Sequence, residues 1–213
     1  HYYLPITLLL LLTLTGCGVP TVYPLYHPQD LQYRPELSGQ WTNENRSKIY
    51  NVFNLQDLKY DQALRDTMGI EETDSMASLF EEENLDRIYI IGDADSTKSD
   101  GELYLAGLLS IGDELYLDLF KNPTIIDTFM YPVHIFVKLE LKDGEVVMHQ
   151  FNEDWFEKQI KEGNIQIDHE LSFGNLLLTA HTNELQKLVT EYGNNPNAFR
   201  KDTDTFYKIS DKK

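Results

Sequence analysis

The chain has 213 residues, of which 18 are Lys or Arg and 35 are Asp or Glu, so its formal net charge is −17. Such an acidic chain lacks the basic surface that nucleic-acid binding needs, and its single Cys excludes an intramolecular disulfide or a Cys-based zinc site. With 41% hydrophobic and 12% aromatic residues, the composition favours one folded domain over a disordered chain.

The first sixteen residues have the pattern of a targeting segment. They contain no Asp, Glu, Lys or Arg, and an apolar run over 8–14 stops at Thr15, Gly16 and Cys17. A helix that spans a bilayer needs about 20 apolar residues, whereas a shorter run that ends in small residues is typical of a cleavable signal peptide. Leu14, Thr15 and Gly16 followed by Cys17 resemble the lipobox of bacterial lipoproteins, in which the Cys is acylated and becomes the first residue of the mature chain.

This resemblance implies signal cleavage after Gly16, lipid attachment at Cys17 and anchoring to a membrane of the bacterial cell envelope. Because Gly18 rather than Asp follows the Cys, it implies the outer membrane if the organism is Gram-negative. An ordinary signal peptide, or an anchor helix with a chance Cys, is the alternative interpretation. No initiator Met or basic stretch precedes His1, so we expect the signal peptide over 1–16 to be truncated at its start.

Residues 17–37 are predicted to be a lipidated Cys and an extended tether. Four prolines lie between 18 and 37, and proline fixes φ and cannot donate a ladder hydrogen bond. Tyr23, Leu25 and Tyr26 could fold back onto the domain. From Leu25 to Trp41 the chain also resembles the opening of a family of uncharacterised bacterial lipoproteins, whose Leu-Tyr, Asp-Leu and Pro-x-Leu-x-Gly-x-Trp motifs directly follow the lipid site. That resemblance brings no assigned activity.

Gly39 and Trp41 also resemble the Gly-x-Trp motif of lipocalins, which opens the first strand of their barrel. In lipocalins a basic residue from the far end of the barrel covers this Trp, so the resemblance implies the same role for Arg200, Lys201 or Lys208. The second lipocalin motif, Thr-Asp-x-Tyr, has no convincing copy late in the chain. A buried Trp after a turn glycine is the alternative interpretation.

Residues 38–210 are predicted to form a single β-rich domain. Apolar and polar residues alternate over 133–141, and Gly112 with Asp113 and Asp143 with Gly144 supply the turn residues of hairpins. The predicted strands lie near 39–43, 48–55, 87–92, 102–111, 114–120, 132–141, 145–151, 175–180 and 204–209. Eight or nine strands in meander order predict a mainly β fold, a closed or nearly closed antiparallel barrel of calycin or lipocalin type.

Two helices are predicted late in the chain, near 153–162 and 183–192. Asn152 can cap the first, and the second has an apolar stripe at helical spacing. A further segment, 56–86, holds ten acidic residues against two basic ones and reads as an insertion between strands. It is predicted to be either a solvated acidic loop or a lid over the barrel mouth.

Motifs for chemistry are largely missing from the sequence. It contains no nucleophile elbow, no Gly-rich phosphate loop and no close His pairing, so we assign no catalytic residue, no metal ligand and no cofactor. His134 and His149 lie on strands joined by a predicted hairpin, and with a matching register they could approach each other.

Three functions follow from these patterns. The favoured one is a membrane-anchored binding module for a small apolar ligand or lipid, held at the membrane through acylated Cys17. The alternative is a cell-envelope interaction or assembly protein without a small ligand. The least favoured is a hydrolase that uses His134 or His149 with nearby acids.

Overall fold

The computed structural model describes residues 18–67, 85–93, 103–121, 133–172 and 175–209. The signal peptide, its cleavage motif at Leu14, Thr15 and Gly16, and Cys17 therefore lie outside the described residues. Within the described ranges the chain forms eleven strands and four α-helices. The strands are β1 (Pro20–Thr21), β2 (Gly39–Asn43), β3 (Ile49–Asn54), β4 (Ile88–Asp93), β5 (Leu103–Ile111), β6 (Glu114–Lys121), β7 (His134–Lys142), β8 (Glu145–Gln150), β9 (His169–Ser172), β10 (Asn175–Leu178) and β11 (Asp204–Lys208). The helices are α1 (Leu55–Tyr60), α2 (Gln62–Thr67), α3 (Glu153–Lys161) and α4 (Thr182–Tyr192).

Eight of the strands close into an antiparallel barrel. Their order is β6, β5, β4, β3, β2, β11, β8 and β7, and β7 pairs back to β6. The last strand, β11, completes the barrel because it pairs with β2 on one side and β8 on the other. This confirms the predicted fold class, a mainly β calycin- or lipocalin-like barrel.

Two of the hairpins turn where the sequence predicts. Between β5 and β6 the turn contains Gly112 at φ 60°, and between β7 and β8 it contains Gly144 at φ 71°. Both values lie in the left-handed region, which glycine adopts without a Cβ clash. These turns set the register of the pairings of β5 with β6 and of β7 with β8.

A small side sheet extends from the start of β7. Because β8 pairs with β7 only from Val137 onward, the first residues of β7 are free on that side to pair with β1, through Ile135 and His134. Strand β10 then runs parallel to β1, and β9 pairs with β10 at the outer edge. The sequence pattern did not predict β1 or β9, which are only 2 and 4 residues long.

Alternation along the strands creates two apolar cores. The inner core lies inside the barrel and consists of Leu37, Trp41, Tyr89, Ala106, Leu108, Leu117, Val137, Leu139 and Val146. The outer core lies between the outer face of β5 to β7 and the late helices. It consists of Val19, Leu25, Leu109, Tyr116, Phe136, Phe151, Phe156, Ile160, Ile165, Leu176, Leu178, Ala180, Leu185, Leu188, Val189 and Ala198.

The two late helices close over the outer core where they were predicted. Asn152 caps α3, since its side chain accepts a hydrogen bond from the backbone N–H of Trp155. Helix α4 buries Leu185, Leu188 and Val189. None of the helices in the described part of the chain is long and apolar enough to cross a membrane.

The N-terminal segment corrects the prediction of an extended tether. From Gly18 to Leu37 the chain runs against the barrel, and Val19, Leu25 and Leu31 are buried. The backbone N–H of Leu25 donates to Asp118 Oδ2 at 2.6 Å, and the side chain of Gln186 on α4 donates to the carbonyl of Leu25. Pro28 and Pro35 begin short 3₁₀ turns, Pro28–Asp30 and Pro35–Leu37, and side chains from distant parts of the chain hold the segment in place.

The acidic insertion begins with α1 and α2 and ends in a short turn, Leu85–Arg87, before β4. Leu55 and Leu58 of α1 pack on Ile90 at the outer surface of β3 to β5. The described part of the insertion is thus not placed over the barrel interior as a lid. The remainder, 68–84, lies outside the described residues.

Candidate functional site: a cavity inside the barrel

The barrel encloses a cavity of about 170 Å³ in its inner core. Its walls are formed by the inward-facing side chains of β2 to β8 and β11, and none of these side chains is charged. They are Leu37, Trp41, Tyr50, Val52, Tyr89, Ile91, Tyr104, Leu117, Leu119, Leu139, Val146, Met148 and Phe206. An apolar lining of this kind binds apolar groups because it cannot replace the hydrogen bonds of a polar ligand.

One end of the cavity, which we call the floor, is closed where β2 begins and β11 ends. There the Nε1–H of Trp41 donates to the carbonyl of Leu37 at 2.8 Å. The ammonium of Lys208 lies 5.6 Å from the centre of the Trp41 ring and donates to the carbonyl of Glu36 at 2.7 Å. A cation at this distance over an indole face is attracted by the ring. Of the three basic residues considered for covering Trp41, Lys208 does so.

Gly39 lies beside Lys208 at the floor. Its φ is 124°, and a Cβ at this position would lie 3.4 Å from Cε of Lys208, in ordinary van der Waals contact. The positive φ is what favours glycine, because a residue with a side chain would strain the backbone here. The two motif residues thus both lie at the floor, where Lys208 covers the ring of Trp41.

Tyr89 fixes the floor from the opposite wall. Its hydroxyl accepts a hydrogen bond from the backbone N–H of Arg34 at 2.6 Å and donates to the carbonyl of Arg34 at 3.1 Å. Burial raises the pKa of Tyr89 to about 12, so the hydroxyl stays protonated and can keep its donor role at neutral pH. The N-terminal segment is thereby tied to the wall of the cavity.

The other end of the barrel, which we call the mouth, is where β2, β4, β6 and β8 end. The lining residues at this end are half-buried, whereas Trp41 and Tyr89 near the floor are 5% and 1% exposed. The half-buried ones are Tyr50, Ile91, Tyr104, Leu119, Met148 and Phe206, and Val52, which pairs with Gly39, is half-buried lower in the barrel. Among the described residues, the cavity is therefore more exposed toward the mouth than toward the floor. The connections 94–102 and 122–132 at this end lie outside the described residues.

The size of the cavity limits what it can hold. Apolar cavities of about 150 Å³ take a benzene-sized molecule, whereas pockets for drug-sized ligands measure about 300–1,000 Å³. A cavity of about 170 Å³ therefore suits one ring or a short stretch of alkyl chain. Any longer ligand must leave part of itself at the mouth.

The structure does not bring His134 and His149 together. His134 pairs with Phe120 on β6, whereas His149 pairs with Lys138, four residues further along β7. At about 3.3 Å per residue this separates them by about 13 Å along the strand. In the described part of the chain, no group of three or more His, Cys, Asp or Glu side chains could hold a metal ion.

Each of these histidines has a carboxylate neighbour instead. Nδ1 of His134 lies 2.7 Å from Oδ1 of Asp118 and forms a hydrogen bond with it. Nε2 of His149 lies 2.9 Å from Oε1 of Glu140, in a direction that makes no hydrogen bond. Both pairs are on the outer face of the barrel, away from the cavity.

Sequence reasoning missed the role of Asp118. Its side chain is fully buried and accepts from both His134 and the backbone of Leu25. The sequence did contain a signal for this role, since Asp118 is an acid within the apolar run from Leu115 to Phe120. A charged residue in such a run is buried only when it has a partner. Its partners could not be read from the sequence, since Leu25 is 93 positions away.

Comparisons with protein-family models, curated proteins and solved structures give no match to this chain.

Proposed function

We propose that this protein is a membrane-anchored bacterial lipoprotein that binds a small apolar ligand, or the apolar end of a lipid, inside its barrel. The observation that carries the proposal is the cavity of about 170 Å³, which has an apolar lining, a closed floor and a mouth. Eight-stranded barrels hold one small ligand when side chains do not fill them.

The apolar class of ligand follows from the wall chemistry. Burying a polar group without a hydrogen-bond partner costs about 1–3 kcal/mol, and the lining contains no charged side chain. Each methylene buried there contributes about 0.8 kcal/mol. A fatty acid or a lipid chain end therefore fits, with its polar group outside the mouth.

Membrane anchoring is proposed on the lipobox resemblance at Cys17. Stable attachment through lipid needs more than one chain, because a single acyl chain gives only weak, reversible binding. Mass spectrometry of the chain extracted from membranes tests this directly. We expect a first residue at Cys17 that carries several acyl chains, and an unmodified Cys17 would contradict the proposal.

Ligand binding can be tested with a chain that begins at Gly18, since it retains every described contact. Calorimetric titration would use a series of saturated fatty acids of increasing length. Affinity should rise about fourfold per added methylene, which corresponds to about 0.8 kcal/mol, and then level off once the cavity is full. A chain that binds none of the series would contradict the proposal.

A matched pair of variants localises the binding. Ile91 lines the cavity near the mouth, whereas Ile49 is 40% exposed on the outer face at the same end. In Ile91→Phe the larger ring takes the space of about one methylene of ligand, so affinity should fall about fourfold. Ile49→Phe should bind as the parent does. Equal loss in both variants would place the ligand outside the barrel.

A further inference from the structure

The first described residue, Gly18, lies at the mouth of the barrel. It is buried, and a Cβ at this position would lie 2.8 Å from Cγ2 of Ile135. Ile135 pairs across the sheet with Leu119, which lines the cavity at its mouth. The chain therefore enters the described fold beside the opening of the cavity.

Strand alternation places Gly18 on the inner side of the sheet. Along β7, Ile135 shares a face with Val137 and Leu139 of the inner core, whereas Phe136 faces the outer core. Just before β1, Val19 belongs to the outer core, so its neighbour Gly18 is on the inner side with Ile135. This position exists because β8 ends before it reaches the start of β7.

No free linker separates Cys17 from the barrel. Val19 and Thr21 are 1% and 0% exposed, and β1 pairs with both β7 and β10. Consecutive Cα atoms across a trans peptide are about 3.8 Å apart, so the backbone of Cys17 cannot lie far from Gly18. A lipid attached at Cys17 would therefore hold this part of the barrel close to the bilayer.

We propose that the mouth of the barrel faces the bilayer in which Cys17 is anchored, so that the apolar ligand enters the cavity from the lipid phase rather than from water. This inference rests on the lipid anchor of the proposed function. The half-buried aromatic residues at the mouth, Tyr50, Tyr104 and Phe206, then lie at the membrane interface, where aromatic rings are favoured.

The test is the depth of spin labels on the full, acylated chain in vesicles of phosphatidylethanolamine and phosphatidylglycerol. Acylation blocks Cys17, so a single introduced Cys can be labelled. Glu44→Cys places the label at the mouth, and Asp113→Cys and Asp143→Cys place it at the floor. All three parent residues are exposed acids in hairpins, so each change removes one negative charge. The matched control is the same labelled position on a chain that begins at Gly18, which lacks Cys17, measured in water without vesicles.

We expect the vesicles to reduce the collision of a water-soluble nickel chelate with the Glu44→Cys label severalfold, and to leave both floor labels unchanged. Three equally accessible labels, or shielded floor labels, would overturn the orientation. A full chain that does not associate with the vesicles would overturn the anchor on which it rests. Fatty-acid titration of the water-soluble chain is independent of all three results, so it shows whether the binding function stands when the orientation fails.

Discussion

The inner and outer cores share the same strands but are packed differently. On β6, Leu117 points into the barrel and Tyr116 points out of it. In the outer core the ring of Phe151 has four aromatic neighbours, Tyr116, Phe136, Phe156 and Phe199, at centroid distances of 4.6–6.4 Å. The inner core instead leaves a cavity of about 170 Å³. The two faces of the same strands thus support one core of closely packed rings and one core that keeps a cavity.

The largest effect that separates the two cores should come from a matched pair of Phe→Ala changes. Phe151 is 1% exposed at the centre of the outer core, so Phe151→Ala should lower the free energy of unfolding by about 3–5 kcal/mol. Phe206 is half-buried at the mouth, where its main ring contact is Tyr50 at 5.5 Å. Phe206→Ala should lower it by only about 1–2 kcal/mol. Urea unfolding measures both, and equal losses would contradict the division between the cores.

Alkaline pH should weaken both cores together. Burial raises the pKa of Tyr89 in the inner core and of Tyr116 in the outer core from 10.0 to about 12. A raised pKa means that the folded state holds the proton more tightly than the unfolded chain, so this stability is complete below pH 10 and is lost as the pH rises toward 12. Each tyrosine can contribute a slope of up to about 1.4 kcal/mol per pH unit in that range.

The variant Tyr116→Phe sharpens this result, because it removes the contribution of Tyr116 and leaves that of Tyr89. Urea midpoints collected on both sides of pH 10 should then show about half of the original alkaline slope. If the slope is unchanged in Tyr116→Phe, then Tyr116 does not titrate with folding, and the link between its burial and its pKa is wrong.

The smallest effect should come from the floor of the inner core. Lys208→Ala removes the cation over Trp41 and a hydrogen bond to Glu36, so the free energy of unfolding should fall by about 1 kcal/mol. The fluorescence of Trp41 should shift to the red as water reaches the ring, while Lys208→Arg keeps a cation there and should restore most of the effect. An unshifted spectrum in Lys208→Ala would mean that the lysine does not seal the floor.

The barrel could be predicted because the local sequence pattern of each strand agrees with the place of that strand in the sheet. Alternation with period two and the two glycine turns place β5 to β8 within one or two residues of where they are, and all eight barrel strands were expected. The short β1 and β9 were missed because their pairing depends on the end of β8, which leaves part of β7 open. A strand of 2 residues has no period to detect.

The site was only partly predictable. The spacing of Gly39 and Trp41 pointed to a covered Trp, and Lys208 was among its candidate partners. The cavity itself is a difference between the volume of the barrel and the volume of its side chains, and no sequence pattern records that difference. The docking of the N-terminal segment depends on one acid, Asp118, which lies far from Leu25 in the chain.

Barrel closure by β11 links this fold to the order in which the chain is made. The floor is sealed by contact between Lys208 and Glu36, which are 172 positions apart. A ribosome synthesises residues 204–208 long after β2, so a nascent chain has no partner for the free edges of β2 and β8. Pairings over such sequence separations also form slowly. The barrel therefore cannot close until residues 204–208 have been synthesised, because β11 is the strand that joins β2 to β8.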